Sequence, residues 1–411
     1  MLFAVVSRRL STTPITGPIV FVALGLLASS GGLGIIEAES TDVLSVVDLL
    51  FQGTLVLVLF TDAAALRISS WRKDAALPGR LLGIGLPLTI ALGTLCAAVL
   101  FTDLSIWEAG IIGAIIAPTD AALGQAVISN PRVPARIRQA LDVESGLNDG
   151  VSLPFVVIFI ALAGSSSDIS AVGTFLREIG VAVGVGVGVG LVGGWLLVRA
   201  SKAGWMGRTW GSIAVIAIAT LAFVLADVGG GSGFIATFVA GLAYGEATRG
   251  RIQESEQLAA DLGSGLVQVS FLAFGALVLE PALGNLTWQV LVMAVLALTV
   301  TRILPVAVSM WGVHLRAPTL LYLGWFGPRG LATIVFAALV VEQADLPGTG
   351  TIVTVAAATV GLSVLVHGLT AFPGSQRFAD WAARQDDTAP AKQSVHRDSL
   401  RPRFQHTKAR D

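Results

Sequence analysis

Gly113-Ala-Ile-Ile-Ala-Pro-Thr-Asp120 is an apolar run interrupted by a proline and a carboxylate. A second run of this kind, Gly324-Trp-Phe-Gly-Pro-Arg-Gly330, lies in the other half of the chain. Pro118 and Pro328 each lack a backbone N–H and break the hydrogen-bond ladder of the helix that holds them. Broken backbone at membrane depth is tolerated only where protein buries it or where it lines a cavity. Two Gly/Pro-interrupted spans, one in each half, predict a transporter of inverted repeats with its site between the breaks. The helix termini that face each other there carry opposed partial charges. Asp120 can offset the positive N-terminal end of one break, and Arg329 the negative C-terminal end of another. For either break alone, an ordinary proline kink is the competing reading, and it is weaker for the pair.

Working outward, the whole chain reads as membrane protein. Of its 411 residues 54% are hydrophobic and 13% charged, where a soluble domain carries about 25% charged residues. Runs near the ~20 apolar residues that a membrane helix needs recur to about residue 372. They are Ile15–Ser29, Val43–Leu66, Leu77–Phe101, Ile106–Ile128, Ile137–Ala163, Ile179–Val198, Ile213–Ala226, Phe234–Gly245, Leu258–Leu279, Val290–Trp311, Leu320–Val341 and Ile352–Thr370. Met1–Val6 reads as the stub of one more, so the expectation is an all-α polytopic protein of 12–13 transmembrane helices, residues 1–372. That stub is too short for the apolar region of a signal peptide and precedes Arg8 and Arg9, the wrong order.

The basic residues test this reading independently. Arg8 and Arg9, the Arg67–Arg80 group, Arg132 to Arg138, Arg199 to Arg208, Arg249 and Arg251, and Arg316 fall in alternate loops. The intervening loops hold only Arg177. The positive-inside rule puts the first set in the cytoplasm, with the C-terminus also inside, in a bacterial-type inner membrane. Residues 373–411 are polar and mixed in charge and read as a mostly disordered cytoplasmic tail. The near-zero net charge suggests no nucleic-acid partner, and the single Cys96 excludes a disulfide framework or a Cys metal site. The Gly184-Gly186-Gly188-Gly190 run sits mid-span with no strand before it, so it reads as close helix packing rather than a phosphate loop.

Ionisable residues inside a bilayer are costly and are functional candidates by default. Asp62, Asp120, Glu144, Asp149, Arg302 and Arg329 are the ones that cannot readily be moved into a loop. In Glu144-Ser-Gly-Leu-Asn-Asp149, Glu144 and Asn148 are spaced i, i+4, and so are Ser145 and Asp149. One helix therefore bears two adjacent columns of oxygen-bearing side chains. A carboxylate facing a wet cavity can alternate between a proton and a hard cation, which prefers oxygen ligands. The competing reading is a carboxyl hydrogen-bonded to a neighbouring helix and never ionised. Arg302, deep between Trp288 and Trp311, needs a partner. Glu144 is the choice, with backbone carbonyls of a broken helix as the alternative. Asp62, close to Arg67, is open between a cation path and a solvated helix end. His314 and His367 have no metal-ligand company and are given no role.

These stretches resemble the first monovalent cation:proton antiporter family, the sodium/proton exchanger type. Gly113–Asp120 is similar to its unwound helix, Leu141–Asp149 to its ion-binding helix and Gly324–Gly330 to its second broken helix. Arg302 falls where the family has its intramembrane arginine. The resemblance implies a two-lobed antiporter fold, elevator-type movement and a homodimer. It implies Asp149 as the shared proton and cation carboxylate, with Ser145, Asp120, Thr119 and Asp62 as co-ligands. Asn148 would orient Asp149, and Glu144 with Arg302 would form a structural ion pair. It also implies electroneutral exchange, since electrogenic relatives have a second Asp where Asn148 stands. The transported ion is expected to be sodium, with potassium the alternative, and no cofactor is expected. Two readings from other classes remain: an intramembrane aspartyl protease pairing Asp120 with Asp149, although no GxGD string is present, and a cation channel.

Overall fold

The computed structural model describes residues 13–36, 41–66, 76–164, 168–343 and 346–385. All the regular structure among them is helical. In chain order the helices are α1 (Gly17–Ala28), α2 (Thr41–Ala65), α3 (Ala76–Leu100), α4 (Ile106–Ile115), α5 (Gln125–Ile128), α6 (Ala135–Gly164), α7 (Asp168–Lys202), α8 (Arg208–Val228) and α9 (Gly233–Thr248). Then come α10 (Gln253–Phe274, continuing through Gly275–Leu279 into Glu280–Leu283), α11 (Trp288–Leu298), α12 (Val300–Ser309), α13 (Ala317–Trp325), α14 (Leu331–Gln343) and α15 (Thr349–Ala383). Among the described residues, eight helices are long and apolar enough to cross a membrane. Each of the twelve expected spans coincides with one of these helices, with a shorter apolar helix, or with a helix pair divided by a break. The stub Met1–Val6 lies outside the described residues.

The interruptions have local causes. In α3 a π-helical turn, Leu81–Gly85, ends two residues before Pro87. In α10 another, Gly275–Leu279, ends two residues before Pro281. A proline inside a helix removes one N–H and pushes its ring against the carbonyl four residues back, and a wider π turn accommodates both. The two expected breaks are real gaps in the helix. The chain unwinds between Ile115 and Gln125 and again between Trp325 and Leu331.

Packing divides the helices into two groups. α1, α2 and α7 to α10 pack mainly on one another, and so do α3, α4, α6 and α11 to α15. The seam between the groups runs where α2, α7 and α9 meet α6, where α2 and α10 meet α14, and where α1 and α10 meet α15. In the first group α7 lies against α9 at backbone distance. A Cβ on Gly186 would come within 2.5 Å of the Ala236 carbonyl oxygen, and one on Gly190 within 2.3 Å of that of Ala240. Gly184 and Gly188, on the other face, would meet nothing within 4 Å. The glycine run is thus a packing ridge with period four and not a phosphate loop.

One expected boundary is corrected. The last helix does not end near residue 372, and the segment after Pro373 is not disordered up to its described limit. α15 continues to Ala383, because Ala371, Ser375, Phe378, Ala379 and Ala382 recur at helical spacing and are buried. Phe378 stacks on Tyr322 with ring centroids 3.9 Å apart, and Arg132 pairs with Asp380 and donates to Gln376 at 2.5 Å. These contacts set the end of α15 against basic loops. Average polarity hid this periodicity. Residues 386–411 lie outside the described ones.

Gly190→Ala is expected to destabilise the folded protein by about 1–3 kcal/mol through overpacking, whereas Gly188→Ala is neutral or slightly stabilising. Thermal melting of the two purified variants separates them; equal melting would contradict the ridge.

Candidate functional site

The two breaks cross each other, and their backbone groups are satisfied from within the crossing. The Asp120 N–H donates to the Pro328 carbonyl at 2.8 Å, joining one broken helix to the other. Asp120 Oδ2 accepts from Leu331 N–H at 2.9 Å, so a carboxylate caps the first turn of α14. Its Oδ1 accepts from Ala122 N–H at 2.7 Å and Leu123 N–H at 3.2 Å, closing the turn behind it. Arg329 is wholly buried and reaches back to the C-terminal end of α4. Its Nη1 donates to the Ala117 and Pro118 carbonyls at 2.8 and 3.2 Å, and its Nη2 to Ala297 of α11 at 3.3 Å. An anion at a helix N-terminus and a cation at a C-terminus is the favourable arrangement for both dipoles. Gly330 has to be glycine here: a Cβ would lie 1.9 Å from Asp120 Oδ2.

α6 passes beside this crossing and turns its oxygen-bearing face toward it. Thr119 and Ser145 hydroxyl oxygens are 2.9 Å apart, and Asn148 Nδ2 donates to Thr119 Oγ1 at 2.6 Å. All three residues are buried. Asn148 Oδ1 is also buried and has no donor among the described residues. A buried acceptor left unpaired costs about 1–3 kcal/mol, so this oxygen suits a ligand that brings positive charge. Asp149 follows on the same helix and is 8% exposed. Two local features follow along α6. Ser152 Oγ donates to the Asp149 carbonyl at 3.0 Å. Pro154, inside α6, supplies no N–H to the Gly150 carbonyl four residues back.

One helical turn before Asn148, Glu144 meets Arg302. Nη1 and Nη2 of Arg302 donate to the two carboxylate oxygens, the second contact at 2.7 Å. Both side chains are buried. Two-point contact of this kind fixes orientation as well as charge. Nη2 also reaches the Leu323 carbonyl, near the C-terminal end of α13, at 3.4 Å. The two partners considered for Arg302, a carboxylate and a broken-helix carbonyl, are thus both engaged. Gly327 makes room for the guanidinium, since a Cβ there would stand 2.3 Å from Arg302 Nε.

The structure therefore brings together Thr119, Asp120, Glu144, Ser145, Asn148, Asp149, Arg302, Pro118, Pro328 and Arg329. Asp62 is half-buried on α2, in the other helix group, where α2 packs along α6. Three of the roughly four acceptor positions of the Asp120 carboxylate are taken by backbone donors, which leaves it little capacity as an ion ligand.

Two residues at the crossing were not picked out from the sequence, Ser363 and His367. Their i, i+4 spacing in an apolar span is the readable signal. His367 is buried beside the second break.

The comparisons with known proteins agree over most of the chain. A family model described as "Sodium/hydrogen exchanger, transmembrane" matches residues 1–376. The K(+)/H(+) antiporter NhaP2 of Shewanella sp. strain MR-4 is 28% identical over 378 residues, covering 90% of this chain and 63% of the relative. The K(+)/H(+) antiporter NhaP of Alkalimonas amylolytica is 25% identical over 361 residues, 86% of this chain and 61% of the relative. The chain thus spans less than two thirds of the length of these relatives. The structure of the sodium proton antiporter MjNhaP1 from Methanocaldococcus jannaschii at pH 8 superposes with a TM-score of 0.71 at 21% identity, covering 88% of this chain and 92% of that one.

Removing one member of a buried ion pair strands the other, at a cost of about 3–5 kcal/mol. Arg302→Ala is therefore expected to lower the melting temperature more than the nearly isosteric Asp149→Asn. An unchanged melting curve for Arg302→Ala would contradict the pairing.

Proposed function

The chain belongs to the sodium/hydrogen exchanger family, and on that premise we propose that it exchanges a monovalent cation for a proton across the membrane. Asp149 is the carboxylate for which the two compete. The observation that carries this reading is the buried cluster one residue away, in which Asn148, Thr119 and Ser145 oxygens converge beside the crossed breaks. Sodium, like other hard cations, prefers oxygen ligands. An ionised Asp149 next along the helix from this hydroxyl and amide cluster offers that chemistry, and a protonated Asp149 needs no cation. Membership in a transporter family sets aside the intramembrane protease reading. Glu144 with Arg302, and Asp120 with Arg329, are the charged frame rather than the exchanging groups.

With Asn148 next to it, Asp149 is the single titrating group of its pair. One charge in and one charge out makes the exchange electroneutral. Sodium is the proposed cation. Potassium is the second reading, favoured by the names of the NhaP2 relatives. The resemblance further supports a homodimer in which one helix group, carrying the crossing, slides against the other. The basic loops support a cell-membrane location with the end of α15 on the cytoplasmic side.

Asp149→Asn is expected to abolish cation-driven proton movement in everted vesicles while the protein remains folded in the membrane. Vesicles bearing this variant that still dissipate a preset pH gradient would exclude Asp149 as the carrier. For the wild type, the rate is expected to ignore an imposed membrane potential of either sign; a rate that follows the potential would rule out one-for-one exchange.

A further inference from the structure

Two buried polar side chains of α15, Ser363 and His367, lie outside the proposed exchanging group and outside the Glu144–Arg302 ion pair. They stand one helical turn apart and face the second break. Ser363 Oγ accepts the backbone N–H of Arg329 at 2.7 Å. That N–H belongs to unwound chain in the membrane interior and has no helical partner of its own. His367 Nδ1 lies 3.1 Å from the same Ser363 oxygen. On the other side of the break, the indole of Trp325 lies against the imidazole with centroids 5.2 Å apart. The charged side chains that bear on the ring are Arg329, between α13 and α14, and Arg302 on α12, both cationic.

The hydrogens can be counted. Ser363 Oγ has accepted one hydrogen from Arg329, so its own hydrogen needs an acceptor. Several other hydroxyls in these helices donate to the carbonyl four residues back, as Thr354 and Thr370 do in α15 itself. Ser363 makes no such bond among the described residues, and His367 Nδ1 is the acceptor within reach. Acceptance at Nδ1 goes with a neutral ring whose hydrogen is on Nε2, a buried atom with no hydrogen-bond partner among the described residues; donation from Nδ1 is the opposite tautomer, and nitrogen-15 NMR tells the two apart.

We propose that Ser363 and His367 are positioning residues for cation binding: His367 Nδ1 takes the Ser363 hydroxyl hydrogen and so aims Ser363 Oγ at the Arg329 N–H, which pins the second break. The pinned segment includes the Pro328 carbonyl that accepts Asp120 N–H. Asp120 in turn adjoins Thr119, whose hydroxyl holds Asn148 and Ser145. Releasing Ser363 therefore loosens the cation cluster through the crossing, without touching Asp149. This inference rests on the exchange reading for its transport readout, but not for its spectroscopic one.

The test uses the full chain, purified and reconstituted in liposomes, with sodium and potassium as the probe ions. Ser363→Ala and His367→Leu are expected to raise the apparent cation constant about three- to tenfold, the worth of one net hydrogen bond. The maximal rate per folded molecule should change far less. Ser363→Thr restores the hydroxyl, and His367→Asn restores an acceptor oxygen near the position of Nδ1; both are expected to return the constant to within about twofold of wild type. An unchanged constant in Ser363→Ala, or His367→Asn behaving as His367→Leu, would overturn the positioning role. The second readout is nitrogen-15 NMR of imidazole-labelled protein that keeps Ser363 and His367, with His314, His396 and His406 replaced so that the remaining imidazole signal is that of His367. A hydrogen on Nε2 is expected, and a hydrogen on Nδ1 would overturn the proposal even if no Ser363 or His367 variant folds. A wild type that moves no protons with either cation, yet gives the Nε2–H signal, would sink the exchange reading and leave the Ser363–His367 geometry standing.

Discussion

Two stretches of backbone without helical partners cross in the interior of this membrane protein, and the rest of the structure answers to them. An unpaired peptide group in hydrocarbon costs several kcal/mol. Within the crossing the Asp120 N–H has the Pro328 carbonyl, the Leu331 N–H has the Asp120 carboxylate, and the Arg329 N–H has the Ser363 hydroxyl. The Ala117 and Pro118 carbonyls have the Arg329 guanidinium. The same groups that satisfy hydrogen bonds also neutralise the helix ends, so charge and geometry are settled by one set of residues.

The crossing also explains the composition of α6. This helix must lie against polar backbone on one face, and there it carries Glu144, Ser145, Asn148 and Asp149. Glu144 is committed to Arg302, and that pair fixes α6 to α12 and, through the Leu323 carbonyl, to the end of α13. Asn148 and Ser145 are committed to Thr119. Asp149, the next residue of the same helix, is the carboxylate proposed for the exchange.

Much of this was legible in the sequence, for physical reasons. Span positions follow from hydropathy because a bilayer demands continuous apolar length, and the alternation of basic loops fixed their parity. Pro118 and Pro328 marked the breaks because proline removes a donor wherever it falls. Arg302 could be matched to Glu144 because an arginine that deep requires an anion. Other features leave a weaker trace. The π turns before Pro87 and Pro281 preserve apolar length and so do not alter hydropathy. The continuation of α15 to Ala383 shows as spacing and not as average polarity. Ser363 and His367 read as isolated polar residues until the fold brings the second break against them. Asp120 reads as an ion ligand by position, whereas three backbone donors already occupy its oxygens.

The central claim is that a proton and a cation occupy one carboxylate in turn, and the dependence of the apparent cation constant on pH tests it most directly. Only ionised Asp149 binds the cation. Below its pKa the constant should therefore rise about tenfold for each unit of pH lost, or ~1.4 kcal/mol. Above that pKa it should level off, while the rate falls as protons become scarce for the return step. The measurement is cation-driven proton movement in liposomes, titrated with sodium and with potassium at a series of pH values equal on both sides. A rising constant with a plateau supports a single shared site, and a constant flat across pH would contradict it.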